Sequence, residues 1–293
     1  MRIIPGEIKT GELHSYLLGA IAPRPICFAS TVDKEGVPNL SPFSFFNVFG
    51  SNPTTLIFSP ARRVRDNTTK HTFQNICETR EVVINMVSYA MVQQASLSSC
   101  EYPKGVDEFE KSGFTKLVSE KVKPFRVAES PVQMECKVRD IIETGTEGGA
   151  GNLIICEVLV MHINDAILNE KHKIDPHKID LVARMGADFY CRASGTAVFE
   201  VHKPNTQLGI GVDALPESIR KSNVLTGNNL GQLGNVHEMP FIDPAFNDDK
   251  LKNIIQYYSI NPDDMDAELH RYAKELLDAG KVNEAWQVLL ADY

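Results

Sequence analysis

From Val132 to Arg139 the residues alternate apolar and polar without a fault: Val, Gln, Met, Glu, Cys, Lys, Val, Arg. Period two sends successive side chains to opposite faces, so this segment is a strand with one face in a core and the other in water. A strand of that kind cannot stand alone, and the first two thirds of the chain supply its neighbours. Residues 25–32 read as a strand, 33–36 as the polar turn Asp-Lys-Glu-Gly, and 37–48 as a second strand rich in Phe and Ser. Residues 54–59, 81–87 and 153–163 add three more, the last more continuously apolar. The close spacing of the early runs demands antiparallel pairing, because parallel strands need a longer crossover. Helices are expected at 69–78 and at 88–97, where Ser88 is the N-cap. Many strands with a few inserted helices argue for a barrel rather than a doubly wound sheet.

After about Lys203 the pattern changes. Gly and Asn crowd residues 223–234, which read as a flexible loop. Leu251, Ile254, Ile255 and Tyr258 mark one amphipathic helix. Leu269, Tyr272, Ala273, Leu276 and Leu277 mark a second, ended by Gly280. Ala285, Trp286, Leu289 and Leu290 mark a third. A helix set this short is expected to lack an adequate core of its own. It should therefore dock on the β domain or on a partner subunit, with the 223–234 loop reaching over a bound ligand.

The net charge of −8 and the absence of a long basic run exclude a protein that tracks nucleic acid. No stretch approaches the roughly 18 apolar residues of a spanning helix, and the N-terminus has no apolar signal core, so a cytoplasmic protein is expected. The six cysteines, 27, 77, 100, 136, 156 and 191, form no C-x-x-C pair. Cys27, Cys136 and Cys156 fall in apolar runs and read as buried hydrophobes of a reducing compartment. His162, His172 and His177 are close in sequence but read as strand and polar turn, and no metal site is expected. The run Gly209-Ile-Gly-Val-Asp-Ala214 lacks any strand–helix setting and reads as a turn.

Two segments carry chemistry. Residues 62–75 hold Arg62, Arg63, Arg65 and Lys70 among the hydroxyls of Thr68, Thr69 and Thr72, just where a helix begins. Cations, hydroxyl donors and helical N–H groups are what a phosphate ester needs; the competing reading is a solvated charged loop. Residues 39–47 interleave Ser and Asn with aromatics around Pro42, which makes the strand an edge or a bulge. Backbone groups left free there could meet the polar rim of a flat ring, while its phenylalanines offer either contact surface or plain core packing.

Four motifs stand in order: Ala22-Pro-Arg-Pro25, Ser41-Pro-Phe-Ser44, Lys70-x-Thr72-x-x-Asn75 and Arg184-Met-Gly-x-x-x-Tyr190. Their order and spacing, over residues 10–200, resemble the flavin reductase-like family, including flavoredoxin-type FMN proteins. The resemblance implies a mainly β fold, a six-stranded antiparallel Greek-key split β-barrel, here with inserted helices and a helical C-terminal appendage. It implies an FMN-binding domain over 1–203, the appendage over 204–293, and a homodimer with FMN near the subunit interface. Ser41, Pro42, Phe43, Ser44 and Asn47 would line the isoalloxazine, largely through backbone. Ser59 and Ala61 would approach the ring and ribityl chain, and Arg65, Lys70 and Thr72 would hold the phosphate. Asn75 would join them or pack on its helix. Arg184 and Tyr190 would lie near the site, or form a structural ion pair and a core tyrosine. No catalytic residue is singled out. The implied function is an FMN-dependent oxidoreductase passing electrons to a small-molecule or protein acceptor; the rivals are an electron carrier and an FMN-storage or sensory module. Family members that take hydride from NADH commonly carry Gly-Asp-His after the glycine loop, where this chain has Gly149-Ala-Gly-Asn152. That departure puts use of a pyridine nucleotide in doubt.

Overall fold

The computed structural model describes residues 1–201, 204, 207–259 and 262–291, with Pro262 and Asp263 described by backbone alone. The chain divides into two compact units, Met1–Phe199 and Glu200–Tyr293. The boundary expected at Lys203 lies outside the described residues.

The first unit opens with helix α1 (Thr10–Ala20), followed by strands β1 (Cys27–Val32), β2 (Pro38–Phe43), β3 (Phe46–Ser51) and β4 (Thr54–Phe58). Next come α2 (His71–Thr79), β5 (Glu81–Met86), α3 (Val92–Leu97), α4 (Glu108–Ser112), and the short β6 (Lys116–Leu117) and β7 (Arg126–Val127). The long β8 (Val132–Glu143) and β9 (Asn152–Ile163) and the hairpin β10 (Val182–Arg184) with β11 (Tyr190–Arg192) complete it. The turn between β1 and β2 is held by Asp33, whose carboxylate accepts from the N–H groups of Glu35 and Val37, with Gly36 at φ +88.

Seven strands, not the expected six, form the main sheet, in the order β2-β1-β5-β8-β9-β4-β3 and antiparallel throughout. The extra strand arises because residues 37–48 are not one strand. The chain breaks at Ser44 and Phe45, and the pieces on either side, β2 and β3, take opposite ends of the sheet. Three Cα steps separate Phe43 from Phe46, a span of at most about 11 Å. The two ends of the sheet are thereby drawn together and the sheet must curl. No ladder joins β2 to β3, so the curl is not a closed barrel.

The alternation of β8 is met on one face and corrected on the other. Val132, Met134, Cys136 and Val138 enter the core, but Gln133 and Glu135, expected in water, are buried as well. The chain from β6 to the turn after β7 covers them. Glu135 accepts from the N–H groups of Glu120 and Lys121 and meets His162 Nε2 at 2.7 Å. Gln133 donates to the carbonyls of Val127 and Ser130. Burial of polar groups is tolerable when each is hydrogen-bonded in this way. Cys27, Cys136 and Cys156 are fully buried, and burial raises the Cys156 thiol to about 12.

The second unit contains α5 (Glu217–Arg220), α6 (Gly227–Gly234), α7 (Asp249–Tyr258), α8 (Pro262–Asp278) and α9 (Val282–Leu289). Two expectations fail here. Residues 227–234 are a helix rather than a flexible loop. Thr226 and Asn229 form a reciprocal capping box at its start, and the buried Leu233 holds it down. The apolar stripes also need no outside surface, because Leu233, Leu269, Ala273, Leu277, Ala285, Trp286 and Val288 bury one another in a core of this unit's own residues. The missing apolar area comes from Leu215, Ile219 and Leu225, which precede the three stripes legible in sequence.

Candidate functional site

The loop from β4 to α2 carries the cations, and a glycine turn fixes its path. Arg62 donates its N–H to the carbonyl of Ala150 and accepts from the N–H of Gly149, at 2.9 and 3.0 Å. A Cβ at Gly148 would lie 3.0 Å from the carbonyl oxygens of both Arg63 and Val64, so the close approach requires glycine. Asn67, at φ +56, ties the loop inward by donating to the carbonyl of Thr146 while accepting from Arg62 Nε. The Arg63 guanidinium donates to Glu101 Oε1 at 2.9 Å, to Thr68 Oγ1 at 2.8 Å and to the carbonyl of Thr69. Arg65, largely exposed, bonds Asp66 and Glu101. The two arginines hold the Glu101 carboxyl below the ordinary range.

Lys70 differs from its neighbours. Its ammonium makes no hydrogen bond or ion pair among the described residues, and burial together with Arg63 lowers its affinity for the proton. Lys70 is also the N-cap of α2, and no side chain among the described residues caps that helix. The leading N–H groups of α2 thus keep no side-chain acceptor, and the dipole favours an anion at this end. His71 beside it is pushed below its usual value by burial and by Arg63, Lys104 and Lys70, and stays neutral near pH 7. Lys70, His71, Thr72, Ser41 and Glu101 line a polar recess of about 20 Å³.

A larger cavity of about 410 Å³ adjoins it, with Arg63, Lys70 and Glu101 lining both. Its apolar wall comes from Pro42, Phe43 and Phe45, at the break between β2 and β3, and from Leu18. The hydroxyls of Ser44 and Ser59 supply its polar points. One turn before Leu18 on α1, His14 meets the Phe45 ring edge-on at 6.0 Å. Although α1 buries no residue, Arg24 anchors it: Nη1 donates to the carbonyls of Leu18 and Ile21, Nη2 to that of Met185, and Nε to Ser44 Oγ at 3.3 Å. Burial and the nearby Arg184 lower the Arg24 pKa.

Of the residues singled out in sequence, Pro42, Phe43, Ser44, Ser59, Ala61, Arg65 and Lys70 come together in the larger cavity. Ser41 and Thr72 join Lys70 in the recess. The remaining four stand elsewhere. Asn47 is exposed on β3, its side chain accepting from the N–H of Val48. Asn75 is buried and donates to Thr31 Oγ1 at 3.2 Å. Arg184 stacks over the Tyr190 ring at 4.6 Å, and Tyr190 lines a separate cleft with Tyr89 and Arg192. Sequence reasoning missed His14, Leu18, Glu101 and Gly149. Only Gly149 carried a signal, as part of the glycine loop. Among the described residues no three His, Cys, Asp or Glu side chains converge as metal ligands, and no helix is long and apolar enough to cross a membrane.

The family described as flavin reductase like domain matches residues 19–176. A protein of Aquifex aeolicus, itself uncharacterized, is 35% identical over 201 residues, which are 69% of this chain and all of that protein. Nitrilotriacetate monooxygenase component B from Bacillus cereus is similar in structure, with a TM-score of 0.64 and 28% identity over 69% of this chain and 98% of its own. A Shewanella frigidimarina protein described as a flavin reductase with a split barrel domain shares the fold at a TM-score of 0.58 and 24% identity, covering 69% of this chain and 100% of that one. Each likeness leaves nearly a third of this chain unmatched.

Proposed function

The chain belongs to the flavin reductase-like family, and from that premise we propose that it is an FMN-dependent oxidoreductase. The observation that carries the reading is Lys70, a cation with no partner among the described residues at an uncapped helix start, set between an apolar cavity and a small polar recess. That donor set suits a terminal phosphate joined to a flat apolar ring. When bound, FMN supplies the electron chemistry. In this reading Lys70, Thr72 and the first turn of α2 hold the phosphate, Pro42, Phe43 and Phe45 exclude water, and Ser44 and Ser59 orient the polar rim. Purified protein is expected to carry about one FMN per chain. A colourless preparation that also fails to take up added FMN, followed by absorbance, would overturn the proposal.

A second reading, an electron carrier with little turnover of its own, is favoured by the glycine loop. Where an acid and an imidazole would serve a pyridine nucleotide, this chain uses its residues for construction. Gly149 and Ala150 clip Arg62, and Asn152 bonds Ser59 Oγ and the carbonyl of Pro60. Steady-state NADH and NADPH oxidation separates the two, since a carrier shows almost none.

We also propose a homodimer. Beyond Glu157, among the described residues, strand β9 pairs only with β8, leaving residues 158–163 with an open edge. Leu159, Met161 and Ile163 are exposed there, as are Val48 and Phe49 on the edge strand β3. Open edges with apolar side chains are normally covered. Light scattering is expected to give twice the 32.6 kDa chain mass. A monomer at micromolar concentration with full flavin content would contradict this.

A further inference from the structure

We infer that Ser44 and Ser59 are hydroxyl donors aimed into the cavity from behind, and that this pair binds reduced FMN more tightly than oxidised FMN. The inference rests on the FMN reading above. A serine hydroxyl has one hydrogen to give and two lone pairs to receive with. A neighbour that can only donate takes up one lone pair and leaves the hydrogen free.

Both serines have such a neighbour. Ser44 Oγ lies 3.3 Å from Arg24 Nε, and a guanidinium cannot accept. Arg24 is buried, and its other nitrogens are engaged with the carbonyls of Leu18, Ile21 and Met185, so its Nε is fixed in place. Ser59 Oγ receives the backbone N–H of Asn152 at 3.0 Å, a group that again only donates. Asn152 is wholly buried and held by its own bond to the carbonyl of Pro60, while the Ser59 N–H is bound to the carbonyl of Phe45. Neither hydroxyl donates to any group among the described residues, and both line the cavity of about 410 Å³. Each hydrogen is left for the ligand. Thr72 does not belong to this set, because its neighbour Asn39 can turn either its nitrogen or its oxygen toward the hydroxyl.

Arg24 and Asn152 are thus positioning residues, acting through the two serines. The wall they make offers two free hydroxyl hydrogens, which suit acceptor atoms of the ligand. The pair is assigned to the ring's N1, O2 and O4 acceptors, which gain negative charge on reduction, whereas N5 takes up hydrogen and becomes a donor; a hydrogen bond to a charged acceptor is about twice as strong as one to a neutral acceptor. Each hydroxyl accordingly favours the reduced form.

The test uses full-length protein loaded with FMN, by titrating both oxidation states and measuring the midpoint potential. Ser44→Ala and Ser59→Ala are each expected to weaken reduced FMN about tenfold more than oxidised FMN, which lowers the two-electron potential by about 30 mV. Ser44→Thr and Ser59→Thr keep a hydroxyl and should restore most of the shift. Equal weakening of both oxidation states, or threonine variants that behave as the alanine ones do, would overturn the inference while FMN binding stands. Wild-type protein that takes up no FMN overturns the flavin reading and this inference with it.

Discussion

If FMN is the cofactor, as proposed, replacing Lys70 with alanine is expected to lower FMN affinity by about 10- to 100-fold and to leave riboflavin affinity almost unchanged, the span expected for a hydrogen bond to a charged group. The selectivity follows from the geometry. Among the described residues Lys70 has no hydrogen-bond or ion-pair partner to lose, so its removal leaves no buried group stranded. It makes no capping bond, so α2 does not depend on its side chain. What disappears is a partly desolvated positive charge at the helix start, worth most to a dianion. Arg65→Ala should cost less, because that side chain is largely exposed and already paired with Asp66 and Glu101. Parallel titrations of FMN and riboflavin by fluorescence quenching decide the matter. Equal losses for both ligands would show that Lys70 acts through folding rather than through the phosphate.

The cation loop was legible because a dense basic segment is conspicuous in an acidic chain, and a helix start just after it gave the charges a purpose. Its counter-charge was not legible. Glu101 lies 36 and 38 residues from the arginines it pairs, in a loop with no pattern of its own. Helix α1 was missed for a related reason: it buries nothing, so it shows no apolar stripe, yet it brings His14 and Leu18 to the cavity through the carbonyl bonds of Arg24. The alternation of β8 identified a strand but not both its neighbours. Period two tells which residues share a face; it does not tell that the chain near Glu120 will cover the polar one. The seventh strand was hidden in the same way. Pro42 warned of irregularity, but only the sheet order reveals that the break at Ser44 sends β2 and β3 to opposite edges and opens the cavity between them.

In the second unit, Leu277→Ala is expected to destabilise the helical fold by about 2–5 kcal/mol while leaving flavin release where it was. Leu277 is 1% exposed, and it packs in one cluster with Leu233, Ala273, Ala285 and Trp286. Truncation removes its contacts and leaves a cavity that α8 and α9 can only partly close. A loss of that size is a large share of the roughly 5–15 kcal/mol that holds an ordinary domain together. The chain provides its own reporter. Trp286 is the only tryptophan, it is fully buried, and it sits in the same cluster, so its fluorescence follows this unit alone. Flavin absorbance follows the other, because every residue lining the candidate cavity lies within Met1–Phe199. The cluster around Leu277 contains no residue of that first unit, and the sheet's core contains none of the second. Separate cores predict separate transitions. In Leu277→Ala the tryptophan signal should melt well below its wild-type midpoint, and flavin should leave at the wild-type temperature. A flavin transition that moves down in step with Trp286 would mean that the two units unfold as one cooperative body, and that the appended helices stabilise the site itself.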